Sequence, residues 1–539
     1  MITKTLDLVE AMALKADLQQ PRAYAPAIST DKVELVETHA SWVFLLDRDV
    51  FKVKRPVDLG FLDFSTRAKR KAACEAEVAL NGRLAPDVYR GVVAVRRGAD
   101  GRARIEGADP IVDWAVHMRR LSDEFRADLI LARDALDGAT IDRIAARIAA
   151  FHGAARCDAE TARFGSPSVV ESNMEENFAQ TKTSLERYLR PDEADEIMRW
   201  QRAFVRGHRA LFEKRAATGR VRDGHGDLRL EHVYIERGEV TILDCIEFND
   251  RFRFGDVCAD VAFLSMDLAR QGRVDLAERF LSSYARETSD FDLYGLVDFY
   301  ESYRAYVRGK ISAMIADDAS VDRTTRSAAA DDARRYFLLA LSADRRSLLS
   351  PAVIAVGGVI ASGKSTLGDR LASEMGAPVI AADRMRKAML GVEATRRLES
   401  KVWSGAYDPT FTDRVYRTML RSAGIVLASG RPVVIDASFR SVAMRQAARE
   451  LAISHGVPFR FIECTAPRDV CLERLARRET APSVSDGHAG IFDDFCARFE
   501  PIAELPPTEH FTVDTTAPAE ATMAALDAVI DTWPEGFDA

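Results

Sequence analysis

Gly358-Val359-Ile360-Ala361-Ser362-Gly363-Lys364-Ser365 follows the apolar run AVIAVG and precedes a helical pattern. Its spacing is G-x-x-x-x-G-K-[ST], and its place between a strand and a helix makes the pattern specific. Each letter has a chemical reason. Gly358 and Gly363 let backbone N–H groups, with Ser362 and Thr366 beside them, wrap phosphates at a helix N-terminus; Lys364 reaches the β and γ oxygens; Ser365 ligates Mg²⁺. ATP and Mg²⁺ are therefore the expected cofactors.

Outward from this loop, residues 352 onward alternate apolar strands (PVIAAD, PVVIDAS, PFRFIEC and HFTVDT) with helical stretches. That order implies a parallel sheet covered on both faces. In such sheets ligands bind at the C-terminal strand edge. Asp383 lies there, as the candidate base for an acceptor hydroxyl or as a helix N-cap, and Arg386 follows one turn on to hold substrate. Asp436, closing the VVID run, is expected at the same edge, on substrate or in the Mg²⁺ shell. Arg474 and Arg478 in ERLARR share a helix face that suits a lid over transferring phosphate.

These motifs, GGVIASGKST, ADRMRKAML, VVIDASF and ERLARR, resemble the polynucleotide kinase and zeta-toxin group of P-loop kinases over about 350–515. The resemblance implies Asp383 as general base, Arg386 on substrate and the 474–478 arginines on phosphate. It does not carry over an acceptor.

The preceding part reads differently. SWVFLLDRDVFKVKR (41–55) is two β-rich runs around Asp47-Arg48-Asp49, a hairpin, followed by a helical pattern over 67–84. Short strands are expected over 88–118 and helices over 139–155, 182–215, 258–287 and in two stretches of 293–346. HGDL (225–228) and ILDCIEF (242–248) place Asp227 and Asp244 at the ends of strand-like runs. Two such carboxylates suit phosphoryl transfer, one accepting the hydroxyl proton and one holding Mg²⁺.

HGDLRLEHVYI, ILDCIEFN and FGDVCADVAFL together resemble the aminoglycoside phosphotransferase family, of protein-kinase-like fold, over roughly 30–315. The resemblance implies Asp227 as catalytic base, Asp244 as metal ligand, Asp256 and Asp260 as braces behind the loops, and Lys52 on the nucleotide phosphates, paired with Glu77. It also puts the adenine-binding hinge at DWAVHMRR (113–120). Lys54 shares a strand face with Lys52, so the two are not separated by sequence. Two departures stand out: the turn ETHAS (37–41) lacks glycine, and His232 replaces the family's second metal ligand, an asparagine. A second ion is then Mn²⁺, absent, or completed by Glu247 or water, unless His232 is only a loop histidine bonded to a carboxylate.

The expected architecture joins α+β and α/β classes. A bilobal kinase-like domain spans 1–346 (small lobe about 30–115, helical lobe about 116–346), and a P-loop α/β domain spans 347–539. At 539 residues, 47% hydrophobic and net charge −8, the chain has no long basic run, which argues against nucleic acid as partner. Its seven cysteines form no C-x-x-C pair, and no apolar run is long enough to span a bilayer, so a cytoplasmic location is expected. Three functions remain open: two fused kinases acting on small-molecule hydroxyls, sugars or aminosugars among them (an EC 2.7.1-like activity); one P-loop kinase acting on a nucleotide or nucleic-acid end, with the first module recognising substrate; or a nucleotide-responsive regulator.

Overall fold

The computed structural model describes residues 2–24, 28, 30–58, 60, 62–105, 107–319, 321–341, 348–398, 404–479 and 483–527. Two compact units form. Unit 1 comprises 1–143, 150–180 and 202–267; unit 2 comprises 144–149, 181–201 and 268–539. The helices Val297–Asp317 and Arg323–Leu341 thus group with the C-terminal strands. The stretch 342–347, next to the expected domain junction, lies outside the described residues.

Unit 1 is built on strands β1 (Glu34–Glu37), β2 (Ser41–Leu45), β3 (Asp49–Lys54), β4 (Tyr89–Arg97), β5 (Ala103–Ile105) and β6 (Ile111–Arg119). They pair in the order β1-β2-β3-β6-β4-β5, every pairing antiparallel. The pleat sorts β3. Phe51 and Val53 join Trp42, Phe44 and Leu18 in one core, while Val50 packs on the other face with Cys74 of the Arg67–Asn81 helix. Lys52 and Lys54 share the Val50 face, which turns both toward Glu77 on that helix.

Further along unit 1, β7 (Val221–Asp223) pairs with β10 (Phe254–Asp256), and β8 (Val233–Glu236) with β9 (Glu239–Ile242). Arg237 (φ 55°) and Gly238 (φ 85°) make the tight turn of the β8–β9 hairpin. DWAVHMRR runs mostly as β6, paired on both sides.

Unit 2 carries β11 (Val353–Gly357), β12 (Val379–Ala381), β13 (Val433–Asp436), β14 (Phe459–Thr465) and β15 (His510–Asp514), all parallel, in the order β12-β13-β11-β14-β15. Central β11 is buried at every residue, the signature of a strand covered on both faces. Its C-terminal end opens directly onto the phosphate-type loop.

The expected helix over 182–215 is not continuous. One helix ends at Thr181, and the next runs Pro191–Gly207, with Arg209–Ala217 after it. Pro191 accounts for where the second of these begins: it has no N–H to donate, so it opens a helix at N1 and cannot extend one.

Candidate active sites

In unit 2 the loop after β11 takes three left-handed backbone positions, Gly358 (φ 131°), Ala361 (φ 60°) and Gly363 (φ 91°), before the Lys364–Met375 helix begins. A Cβ on Gly358 would lie 2.4 Å from the Cys464 carbonyl oxygen, so only glycine fits there. The Ser362 hydroxyl is fully buried without a hydrogen-bond partner, inside a loop shaped to cradle an anion. Lys364 Nζ donates to the Val359 carbonyl (2.6 Å), bending back over its own loop. Burial lowers the Lys364 pKa, opposed by the charges of Asp436 and Asp383.

Asp436 ends β13 as a buried carboxylate bonded by the Ser365 hydroxyl. Burial pushes its pKa up to about 6, against Lys364 and Ser365, which pull it down. A hydroxyl and a carboxylate side by side at a phosphate loop are hard oxygen donors, the set Mg²⁺ takes alongside phosphate oxygens and water. The residues fit that ion.

Asp383 sits in the first turn of the Ala382–Met389 helix, whose N-cap is Ala381. It does not cap the helix, and it lines a cavity of about 580 Å³ together with Lys364, Ser365, Asp436, Arg386 and Arg478. Arg386 is buried, donates to the Ala406 carbonyl (2.6 Å) and Thr412 Oγ1 (3.3 Å), and lies over the Tyr407 ring. Arg474 and Arg478 part company. Arg474 donates to the Ala361 carbonyl (3.2 Å) and to Thr515, tying the phosphate loop to the end of β15. Arg478 faces both this cavity and a second one of about 260 Å³ lined by Gly363, Thr366, Arg474 and Thr515.

Sequence reading passed over Lys387, Asp486 and Tyr407. The Lys387 ammonium is fully buried, donates to the carbonyls of Ala394 (3.0 Å) and Val484 (2.7 Å), and ion-pairs with Asp486 (3.1 Å), which also accepts from Tyr407 Oη (2.7 Å). This knot holds three chain segments around the cavity mouth. Nothing in the local pattern ADRMRKAM marks Lys387 as buried, because its partners Val484 and Asp486 lie 97 and 99 residues away.

In unit 1, Lys52 and Lys54 resolve into different jobs. Lys52 Nζ lies 2.7 Å from Asp244 and 2.9 Å from Glu77. Lys54 is buried and bridges Glu77 (2.5 Å) and Glu247. Burial opposes it, but Lys52 and Lys54 together hold Glu77 below the ordinary carboxylate range. Burial wins at Glu247, which is raised. Asp244 is held low, chiefly by Lys52, at a strained φ of 66°.

Asp260 braces the loop as the resemblance implied, accepting from the N–H groups of His225 (2.6 Å) and Gly226 (2.9 Å). Asp256 pairs with buried Arg215 (2.7 Å) and accepts from Cys258 N–H. Asp227 is clamped by Arg229, Nε to Oδ1 at 3.0 Å and Nη2 to Oδ2 at 3.1 Å, a pair visible in the sequence only as neighbours two residues apart. The His232 Nδ1–H donates to the Asp227 carbonyl (2.8 Å), since a carbonyl can only accept. Nε2 is then the acceptor nitrogen; it takes a hydrogen bond from Arg229 Nη2 (3.5 Å) and lies 3.9 Å from Asp244 Oδ2. One carboxylate and one imidazole fit a Mn²⁺-like ion better than Mg²⁺. Among the described residues no group of three or more His, Cys, Asp or Glu is placed to hold a metal.

Residues 353–502 match the family model described as an AAA domain. Over 500 residues the chain is 33% identical to "Uncharacterized protein Rv2004c" of Mycobacterium tuberculosis (strain ATCC 25618 / H37Rv), covering 92% of this chain and 95% of that protein. The chain belongs to that family. "Uncharacterized protein Mb2027c" of Mycobacterium bovis, another member, matches with the same identity and coverage. Among solved structures, aminoglycoside 2'-phosphotransferase-IIIa in its GDP complex is 13% identical, with 62% of this chain and 98% of that chain covered and a TM-score of 0.37. A gluconokinase from Sinorhizobium meliloti 1021 is 24% identical, covering 34% of this chain and 93% of that chain, TM-score 0.25. The family member described here joins a six-stranded antiparallel N-terminal sheet to a parallel-sheet domain that carries the phosphate loop. No helix among the described residues is long and apolar enough to cross a membrane.

Proposed function

We propose that unit 2 transfers the γ-phosphoryl group of ATP to a hydroxyl of a small molecule. The observation that carries this is one cavity lined by Lys364, Ser365, Asp436, Asp383 and Arg386 together. The Gly358–Ser365 loop and Thr366 cradle the phosphates, and Lys364 and Arg478 meet the transferring group. Mg²⁺ held by Ser365 and Asp436 would neutralise charge that develops on the β and γ oxygens. Asp383 accepts the acceptor's proton, and Arg386 positions the acceptor. Arg474 acts on the loop rather than on the reacting atoms, since its guanidinium is spent on Ala361 and Thr515.

For unit 1 we infer a second phosphotransferase site, with Lys52 on nucleotide phosphates, paired with Glu77, with Asp244 and His232 on metal, and with Asp227 as base. The two modules then divide near residue 347, and the protein works in the cytoplasm. A second reading is favoured by one observation: Arg229 occupies both oxygens of Asp227. Under it, unit 1 recognises substrate or responds to nucleotide without transferring phosphate.

ATP turnover against a panel of hydroxyl-bearing metabolites tests both, with Lys364→Ala and Asp227→Ala assayed separately. Two working sites require each variant to lose a different subset of activities. Loss of all transfer in Lys364→Ala with none lost in Asp227→Ala leaves unit 1 as a non-transferring module. If no acceptor stimulates ATP use, the phosphotransferase reading of unit 2 fails.

A further inference from the structure

A loop that cradles phosphates needs N–H groups that converge and carbonyl oxygens that turn away, because a carbonyl facing an anion repels it. Carbonyls turned into the protein need donors of their own. Two consecutive carbonyls of the unit 2 phosphate loop have them. The Ala361 carbonyl accepts from Arg474 (3.2 Å), and the Ser362 carbonyl accepts from the hydroxyl of Thr515 (2.7 Å), 153 residues away.

Thr515 joins these two holds. It follows β15 directly and is 7% exposed. Its hydroxyl accepts from Arg474 Nη1 (3.0 Å), its carbonyl accepts from Arg474 Nη2, and its N–H donates to the Thr465 carbonyl (2.9 Å) at the end of β14. The hydroxyl has one proton to give, and the Ser362 carbonyl is the nearer acceptor, ahead of the Thr465 carbonyl at 3.3 Å. Because a peptide unit is planar and trans, fixing the Ser362 C=O toward Thr515 turns the Gly363 N–H the opposite way. Gly363 lines both cavities of unit 2.

The loop's backbone is shaped around this contact. A Cβ on Gly363 would lie 2.7 Å from Thr515 Oγ1 and 2.9 Å from its Cβ, so Thr515 can approach only because glycine stands there. Ala361 does carry a side chain, at φ 60°, in a left-handed conformation that a Cβ disfavours. Arg474 holds its carbonyl, and the Ala361 methyl belongs to one apolar cluster with Cys471 and Leu475, from the same helix as Arg474, and with Phe492. Strain kept in place by its surroundings at a binding loop is a mark of preorganisation.

We propose that Thr515 is a positioning residue for the nucleotide: gripped by Arg474, its hydroxyl holds the Ser362 carbonyl out of the phosphate hollow, so the loop is shaped before phosphate arrives. The proposal rests on the ATP reading of this loop. It gives Arg474 a part in phosphate binding with no phosphate contact. Loss of the Thr515 hydroxyl then weakens every ligand that uses the loop, ADP as much as ATP, because each must first order the loop. Loss of a group that touches the γ-phosphate weakens ATP alone.

Calorimetric titration of the full chain with Mg²⁺, using ADP and a non-hydrolysable ATP analogue as probes, tests this. We expect Thr515→Val to weaken both probes by about tenfold or more and to similar extents, while Thr515→Ser, which keeps the hydroxyl, stays within about threefold of wild type. Arg474→Met should also weaken both probes alike, and the double variant should bind no worse than about threefold below the weaker single one, since both side chains act through one hydrogen-bonded unit. If Thr515→Val does not fold, Thr515→Ala against Thr515→Ser gives the same comparison. Unchanged affinity in Thr515→Val with only a lowered melting temperature makes Thr515 merely structural and overturns the proposal. So do a Thr515→Ser variant as weak as Thr515→Val, additive losses in the double variant, or an Arg474→Met loss confined to the ATP analogue. Each of these leaves nucleotide binding by the loop standing; a wild-type protein that binds neither probe refutes that reading and the proposal with it.

Discussion

Replacing Lys54 by Met should destabilise the sheet of unit 1 far more than the same change at Lys52, although the two lysines lie on one strand face. The Lys54 side chain is 2% exposed, between Glu77 at 1% and Glu247 at 9%. Removing it strands two carboxylates in a dry site, and Glu77 keeps only Lys52. Breaking a buried ion pair from one side costs about 3–5 kcal/mol. Lys52→Met instead leaves Glu77 paired with Lys54 and exposes Asp244, whose side chain is already 50% accessible, so its cost is about 1 kcal/mol or less.

Hydrogen exchange of peptides covering β3 and the Arg67–Asn81 helix reads that local stability. The Lys54 variant should exchange roughly 100- to several-thousand-fold faster in those peptides, the Lys52 variant less than about tenfold faster. Acid should relieve the first effect. Glu247 already has a raised pKa, so its folded form prefers the proton, and any stability gained by protonation is present at low pH and lost as pH rises through that pKa. The Lys54 defect should therefore be smaller at pH 5 than at pH 8. Equal exchange rates in the two variants, or a Lys54 defect that grows on acidification, would refute the assignment of Lys54 as structural and Lys52 as the lysine facing the site.

Three further expectations concern unit 2. Asp436 titrates near 6 instead of in the usual carboxylate range, so it is protonated and a poor ligand below that pH; Mg²⁺-dependent turnover should fall about tenfold per pH unit below 6. A raised carboxylate pKa penalises the folded state increasingly as pH rises from the ordinary carboxylate range, and in full above about 6, so Asp436→Asn should raise the melting temperature of the ligand-free protein at pH 8 while abolishing Mg²⁺-dependent turnover; an unchanged or lower melting temperature counts against the buried-charge account. Gly358→Ala drives a Cβ to 2.4 Å from the Cys464 carbonyl in a left-handed backbone (φ 131°). It should cost at least tenfold in ATP-analogue affinity by calorimetry, with a stability loss of about 2 kcal/mol or more; wild-type affinity would mean that the loop does not need its close packing.

How much of this was legible depended on how local the physics was. The phosphate loop, the alternating strands around it and the hairpin carrying Lys52 were all readable, because glycine conformation, strand periodicity and turn chemistry act over a few residues. So was the place of Asp383 and Asp436 at the C-terminal edge of the parallel sheet, where strand ends put carboxylates. The helix start at Pro191 was also written locally, but the strong periodicity on either side hid it.

Tertiary structure alone decided the rest. Lys52 and Lys54 have the same sequence environment, and only the arrival of Asp244 and Glu247, from more than 190 residues downstream, tells them apart. Arg474 and Arg478 share a helix face, yet Thr515 captures one and leaves the other facing both cavities. Burial of Lys387 follows from long-range packing. The reason is general: backbone conformation is set by nearest neighbours, whereas charge pairing and desolvation depend on which distant groups the fold brings within a few ångströms.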